Sequence, residues 1–453
     1  MTLKTKELVA FSLLSMPLSM GGLPLAIYLT PYYTAELGLS LASVGLVLLI
    51  TRITDVVTDP LIGTLSDRTP ARYGRRGLWV AIGLPIMALA TLAVFSPPEN
   101  VGFLYLLAAV ATLYVGWTLI SIPLLAWAAE LSSDYQERSR ITGARTLAST
   151  TGTLLVMALP MLLVYAVDAG FTSLAPETQG SLQPMLTIVA WATIACLGLF
   201  GPLLFLVVPQ PRFVEKTALD LRLALKLVWN NKPFIRLMIS GMMTHVGWYC
   251  ISTLYVFFMV YYLLADTRMW SMLLLLYFGC SFVGTPIIVA LGRRFNKHRL
   301  LAGLSLFAMA VFSTVLVMEP RDFLHYGFIQ VFAGMVANAG AVLVPSMAAD
   351  VIDQDTLESG QQRGALFMAL WGMADKLALA AAAGLTLPLL QFLGFDPSVQ
   401  NDTAGLRALQ YTYAVIPLVF LVAAAVVIWH FPITKERQEE LRDQLAAGDI
   451  RLQ

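Results

Sequence analysis

A chain of 453 residues that is 58% hydrophobic and 13% charged, with a mean hydropathy of +0.74, has more apolar surface than one soluble core can cover; this excludes an ordinary soluble enzyme and makes lipid the expected solvent. The net charge of +1 is spread over short loops, which excludes a basic face for nucleic acid. Cys196, Cys250 and Cys280 stand in apolar runs at unrelated spacings, so neither a zinc motif nor a disulfide framework is expected.

Lys4 and Lys6 precede the first apolar segment and no small-residue cleavage site follows, so that segment is expected to stay as a span and not to be removed as a signal peptide. With about 20 apolar residues per crossing, six helices are predicted at 7–33, 40–62, 78–96, 101–127, 142–166 and 184–208. Six more follow at 233–264, 270–292, 300–318, 324–346, 367–393 and 405–431. The chain therefore reads as an all-α integral membrane protein with 12 transmembrane helices. An N-terminal six-helix bundle occupies 1–208, a charged cytoplasmic linker 209–232, a C-terminal bundle 233–431, and a short polar tail helix 432–453.

Charge position sets the orientation. Of the 29 Lys and Arg, 23 fall in the two terminal segments and the loops on their side, three (Arg268, Arg321, Arg407) in the opposite loops, and three (Arg52, Arg145, Lys376) within helices. This predicts both termini in the cytoplasm. The loops also repeat. "GTLSDRTPARYGRRGLW" after the second helix matches "ALGRRFNKHRLLAG" after the eighth, and "AAELSSDYQERSRITGA" after the fourth matches "AADVIDQDTLESGQQRGA" after the tenth. Matching halves imply a pseudo-two-fold two-bundle transporter with a solute site near the bilayer midplane.

Ionisable residues inside spans are functional candidates, because a charge near the bilayer centre costs about 2.5 kcal/mol or more. In "TRITDVVTDP", Asp55 and Asp59 are spaced i,i+4 and project from one helix face, where two anions repel unless a cation or a proton intervenes. Oxygen ligands suit a hard monovalent ion, and the hydroxyls of Thr58 and Thr118 are candidates to join them. The plainer alternative is that Asp55 bridges to Arg52 and Asp59 caps a helix that stops before Pro60. Arg145 and Lys376 occupy corresponding places in the two halves and are candidates for binding solute; Lys376 is also a candidate counter-ion for the aspartates, or either cation simply pairs or snorkels. Asp375 points about 100° from Lys376 and is a weaker partner.

Other features are less specific. Pro17, Gly21, Gly22 and Pro24 are expected to loosen the first helix, and the aromatic run "WYCISTLYVFFMVYYLL" either lines a cavity or forms a lipid-facing belt. Trp127 and Trp371 share that ambiguity. His245 is either a proton carrier or a hydrogen-bonded packing residue.

The stretches "RITDVVTDPLIGTLSDR", "RYGRRGLW", "SIP", "ADVID" and "LWGMADK" resemble the glycoside-pentoside-hexuronide:cation symporters of the major facilitator superfamily, from the first helix to the last. The resemblance implies that fold, no enzymatic activity, no cofactor beyond a coupling ion (Na+, Li+ or H+), and a cation site at Asp55 and Asp59 with Thr118. Arg52, Arg145 and Lys376 also match family positions. A well-known disaccharide-carrying member has an asparagine where this chain has Thr58, sugar-binding aspartates where it has Ser19 and Ser121, and a tyrosine where it has Trp117; a sugar-facing tryptophan corresponds to Ala341. Losing two acids while keeping Arg145 and Lys376 makes the cavity more positive, which favours an anionic solute such as a hexuronide or sulfonated sugar.

The resulting expectation is a symporter importing a glycoside or sugar-like solute by alternating access, with Ser19, Trp117, Ser121, Arg145 and Lys376 at the solute. Cytoplasmic gating falls to Asp67, Arg75, Arg76, Glu130, Arg138, Asp350 and Arg363. The expected partners are a small solute, a monovalent cation and the bilayer of a bacterial inner membrane, with no nucleic acid and a monomeric chain. A lysophospholipid-type cargo remains the alternative, as does a membrane receptor or scaffold without flux. An intramembrane aspartyl protease does not fit, since two acids on one helix face cannot approach a peptide bond from opposite sides.

Overall fold

The computed structural model describes residues 3–70, 74–98, 100–132, 135–170, 181–209, 229, 231–359, 364–441 and 444. Among them the principal helices are α1 (Thr5–Leu13), α2 (Ser15–Ile27), α3 (Leu41–Arg68), α4 (Arg75–Phe95), α5 (Phe103–Leu131), α6 (Tyr135–Asp168) and α7 (Gln183–Val207). They continue with α8 (Lys232–Phe257), α9 (Thr267–Arg294), α10 (Lys297–Ser313), α11 (Phe323–Ala337), α12 (Ala339–Ser359), α13 (Gly364–Phe392) and α14 (Thr403–Trp429). The described residues hold no strand, and 12 helical stretches are long and apolar enough to cross a membrane. All 12 fall on the segments predicted from hydropathy.

Two of those stretches are interrupted for different local reasons. In the first, the proline ring removes a donor and crowds the carbonyl four residues back: Pro17 acts on Leu13, where α1 ends, and Pro31 on Ile27, where α2 ends. In the tenth, Asn338 separates α11 from α12, and its side-chain amide donates to Thr285 Oγ1 of α9 at 2.8 Å. Pro60, by contrast, sits inside α3 without ending it. Starts are capped as the sequence dictates: Ser40 accepts from Ser43 N, Asn231 from Phe234 N and Asp322 from His325 N.

The chain divides into two compact units. The first comprises Met1–Lys216, Ala265–Ser271 and Leu387–Asp402; the second comprises Thr217–Leu264, Met272–Thr386 and Thr403–Gln453. In the first unit α4 and α5 approach at backbone distance. A Cβ added to Gly116 would stand 2.7 Å from Met87 N, and one added to Gly83 would stand 2.7 Å from Ile120 Cγ1. Gly116→Ala is therefore expected to destabilise the protein by about 1–3 kcal/mol through overpacking, measured as a lowered unfolding midpoint in detergent. Gly143→Ala, inside α6 with nothing within 4 Å of its added carbon, is the clash-free comparison and is expected to leave the midpoint unchanged or raised.

In the second unit the aromatic run at the end of α8 faces inward. Phe258 is fully buried, stacked on Tyr413 (centroids 4.3 Å, 7°) and on Tyr262 (5.0 Å, 12°), and Tyr413 meets Tyr326 with hydroxyls 2.6 Å apart. The lipid-belt alternative does not hold for these residues, because offset aromatic stacking and shared hydroxyl bonds satisfy them inside the unit. Trp127 of the first unit is likewise fully buried, with Nε1 donating to Pro209 O at 3.2 Å.

The tail is helical over residues 435–441 and is anchored to the unit, since Ile433 and Leu441 are buried in the core formed by Phe234, Leu301, Val344 and Ile428. The expected linker at 209–232 lies outside the described residues except at 209, 229, 231 and 232. The cysteines are free thiols.

Candidate ion and solute site

Helix α3 carries Asp55 and Asp59 one turn apart within a membrane-crossing stretch. Asp55 is buried, and its Oδ2 lies 3.1 Å from Arg52 Nη1. The Arg52 guanidinium sits 3.9 Å above the ring centroid of Tyr114, a position where the aromatic face offsets part of its desolvation. Thr118, one turn beyond Tyr114 on α5, donates from Oγ1 to Asp59 Oδ1 at 3.0 Å. One turn of α3 therefore meets one turn of α5 through a charge pair and a charge-assisted hydrogen bond.

The bridge between Asp55 and Arg52 is present, but Asp59 does not cap a helix end, because α3 runs on through Pro60 to Arg68. Thr58 Oγ1 lies 3.5 Å from the Asp55 carbonyl oxygen, so its hydroxyl is turned along the helix backbone. Among the described residues no group of three or more His, Cys, Asp or Glu is placed to hold a metal. The donor set is thus two carboxylates and hydroxyl oxygen, which suits a hard ion of low charge and not a soft transition metal.

The solute candidates of the first unit gather where α2, α5 and α6 meet. Ser19 Oγ is 2.8 Å from Met16 O and 2.7 Å from Ser149 O, beside Gly152, whose added Cβ would stand 2.6 Å from that oxygen. Its single hydroxyl proton is engaged by backbone, while its lone pairs remain acceptors. Trp117 packs against Gly22, where an added Cβ would stand 2.8 Å from the indole. Ser121 is half-buried one turn further along α5. Arg145 Nε is 3.4 Å from Ser15 Oγ. Lys376 belongs to the second unit, half-buried on α13 next to Asp375.

The gating candidates fall into one cluster in each unit. In the first, Arg76 donates to Ser66, to Asp67 and to Glu130, the last at 2.7 Å through Nη2, while Arg75 lies 3.6 Å from Asp67 and 3.9 Å from Glu130. In the second, Lys297 Nζ lies 2.6 Å from Asp350 Oδ2, and Gln438 of the tail donates to Asp350 Oδ1 at 2.6 Å. The matched loops read from the sequence thus place an acid from the "AAE" or "AAD" segment on a base from the preceding glycine-basic loop in both units. The Arg138 side chain and Arg363 lie outside the described residues.

The profile of the family described as MFS/sugar transport protein matches residues 10–435. The chain belongs to that family. Its relatives at full length include an uncharacterized symporter of Synechocystis sp., 24% identical over 93% of both chains. A glucuronide carrier protein homolog of Escherichia coli is 22% identical over 92% of this chain and 90% of its own. A sodium-dependent lysophosphatidylcholine symporter of Danio rerio is 23% identical over 96% and 87%. The fold is that of solved transporters. A bacterial homolog of the lysosomal transporter Spinster superposes with a TM-score of 0.68 at 13% identity over 95% of this chain and 97% of that one. The xylose transporter of Escherichia coli gives 0.64 at 14% over 97% and 98%. The chain is a membrane transporter of the major facilitator sugar-transport family and not an enzyme.

Several residues of this transporter were not singled out by sequence reasoning. Tyr114 shares a helix face with Thr118 at i,i+4 spacing, a signal that was available in the sequence. Lys297 was visible only as one of several bases in "GRRFNKHR", and Gln438 had no signal at all. Asp375 and His245, each weighed singly in the sequence, meet across two helices, Nδ1 to Oδ1 at 2.6 Å.

Proposed function

We propose that this transporter is a cation-coupled symporter importing an anionic sugar-like solute, with one monovalent cation, Na+ or H+, bound at Asp55 and Asp59. The observation that carries the reading is the pair of carboxylates one turn apart inside a span, one of them held by the Thr118 hydroxyl at 3.0 Å. A cation there relieves the repulsion between the acids, and Thr118 keeps Asp59 oriented to receive it. The sodium dependence in the name of the lysophosphatidylcholine relative supports the ion, and the glucuronide in the name of the Escherichia coli relative supports an anionic sugar. Trp117, Ser121 and Arg145 are the residues of the first unit proposed to meet the solute, and Lys376 is the second unit's own candidate for that role. A lipid-like solute is the second reading, favoured by the same sodium-dependent relative.

In this proposal the chain is a monomer in a bacterial inner membrane with both termini in the cytoplasm, and the Arg76–Glu130 and Lys297–Asp350 clusters open and close with the transport cycle. The test is a thermal-shift titration of the purified protein with sodium, lithium and potassium at several pH values, against Asp59→Cys. Stabilisation by sodium or lithium that disappears in the variant supports a metal-ion site; a pH-dependent shift lost in the variant assigns coupling to protons. No response to either returns the pair to a structural bridge. Competition of uptake by uronides or sulfosugars against neutral disaccharides and lysophospholipids then decides the solute.

A further inference from the structure

We propose that His245 and Asp375 form a proton-binding site within the second unit, separate from the aspartate pair of the first. His245 of α8 places Nδ1 2.6 Å from Asp375 Oδ1 of α13, within ion-pair range but off the line of a good hydrogen bond, so Nδ1 is left without a directed acceptor. Tyr249, one turn along α8, donates its hydroxyl to the same Oδ1 at 2.9 Å. The imidazole is 17% exposed and packs edge-on to Trp371 with centroids 5.6 Å apart. The Asp375 side chain is 38% exposed, so water reaches the pair, and the charge of the imidazole acts directly on the carboxylate 2.6 Å away.

The surroundings of the imidazole contain few other charges. Helix α13 contributes Asp375 and Lys376 and has no other ionisable residue along Gly364–Phe392. Helix α12 brings Gly340 to the other ring nitrogen, where a Cβ would stand 3.4 Å from Nε2, and its acids, Asp350, Asp353, Asp355 and Glu358, begin ten residues further on, about 15 Å along the axis. Helix α14 packs along α8 with Pro417 O and Leu421 opposite Gly247, and its one charged residue, Arg407, is ten residues earlier, about 15 Å along the axis. On α8 itself Lys232 and Arg236 lie more than two turns before His245. Asp375 is thus the acid that meets the imidazole directly, with Tyr249 on the same oxygen and Lys376 next to it in the chain.

The step is simple and balanced: a proton passes from water to a ring nitrogen of His245, the imidazole becomes an imidazolium, and the anionic pair becomes a neutral ion pair with Tyr249 still donating to Oδ1. No bond within the protein is broken. A site of this kind makes the second unit respond to pH whichever ion drives transport.

Tryptophan emission reads the site directly, since an imidazolium quenches an adjacent indole more than a neutral imidazole does. The full-length protein is titrated in detergent from about pH 8 to about pH 5, the window in which histidine titrates, without sodium or solute. The expected result is a fall in emission whose Trp371 component, the difference from Trp371→Phe, is absent in His245→Gln. Its midpoint changes in Asp375→Asn, because the charge beside the imidazole is gone. Asp59→Asn leaves the transition in place, which separates this site from the cation site of the first unit. The proposal is overturned if Trp371 shows no pH-dependent component, if that component survives in His245→Gln, or if Asp375→Asn leaves its midpoint unchanged. Should His245→Gln fail to purify as a monodisperse protein, the Trp371→Phe difference and the Asp375→Asn shift decide the question.

Discussion

Asp59→Asn is expected to abolish concentrative uptake in proteoliposomes while leaving counterflow and thermal stability near wild type. The carboxamide oxygen keeps the size of the side chain and still accepts from Thr118 Oγ1, now at 3.0 Å, so the contact between α3 and α5 is retained. What is removed is the negative charge that balances a coupled cation. One charge carried inward by the membrane potential contributes about 2.3 kcal/mol per 100 mV, so its loss lowers accumulation by about 50-fold at that potential. Asp55→Asn behaves differently. Asp55 is buried and lies 3.1 Å from Arg52, so removing its charge takes the nearest carboxylate from a guanidinium that is only 14% exposed, and stability falls together with transport. Initial rates, accumulation ratios and counterflow measured on both variants separate the two roles. An Asp59→Asn carrier that still concentrated solute would remove the pair from ion coupling.

The membrane-crossing helices were legible because hydropathy is a long-window signal that tolerates single polar residues. Their ends were not. Helix α3 extends past the predicted residue 62 to Arg68, since the polar turn Ser66–Asp67–Arg68 is held by Arg76, a partner that no local pattern announces. The halt between α1 and α2 follows from Pro17, but which of the prolines and glycines in that segment would interrupt the helix depends on packing; Pro24 sits within α2 without ending it. At the candidate site the spacing of Asp55 and Asp59 was visible, and so was Thr118 as a hydroxyl near them. The Arg52–Tyr114 stack and the His245–Asp375 pair required two helices to be set side by side, which a helical wheel of either one cannot do. The wheel that sets Asp375 apart from Lys376 carries no information about His245, because that partner comes from α8.

Arg76→Ala is expected to destabilise the protein by about 3–5 kcal/mol, read as a lowered unfolding midpoint in detergent. The Arg76 side chain is 5% exposed and forks onto Glu130, itself 9% exposed, with Nη2 to Oε1 at 2.7 Å and Nε to Oε2 at 3.5 Å. Its truncation leaves a carboxylate in a poorly solvated place, facing only the more distant Arg75 at 3.9 Å among these bases. Asp67 is 58% exposed, so although it also meets Arg76, Asp67→Ala is expected to cost no more than about 1 kcal/mol. Arg76→Lys retains the charge but not the fork and falls between the two. The double variant Arg76→Ala/Glu130→Ala is expected to be more stable than Arg76→Ala alone, since the penalty comes from the abandoned carboxylate more than from the lost attraction. If the double variant is less stable than both singles by their full sum, the two residues act independently and the cluster is not the unit that the 2.7 Å contact describes.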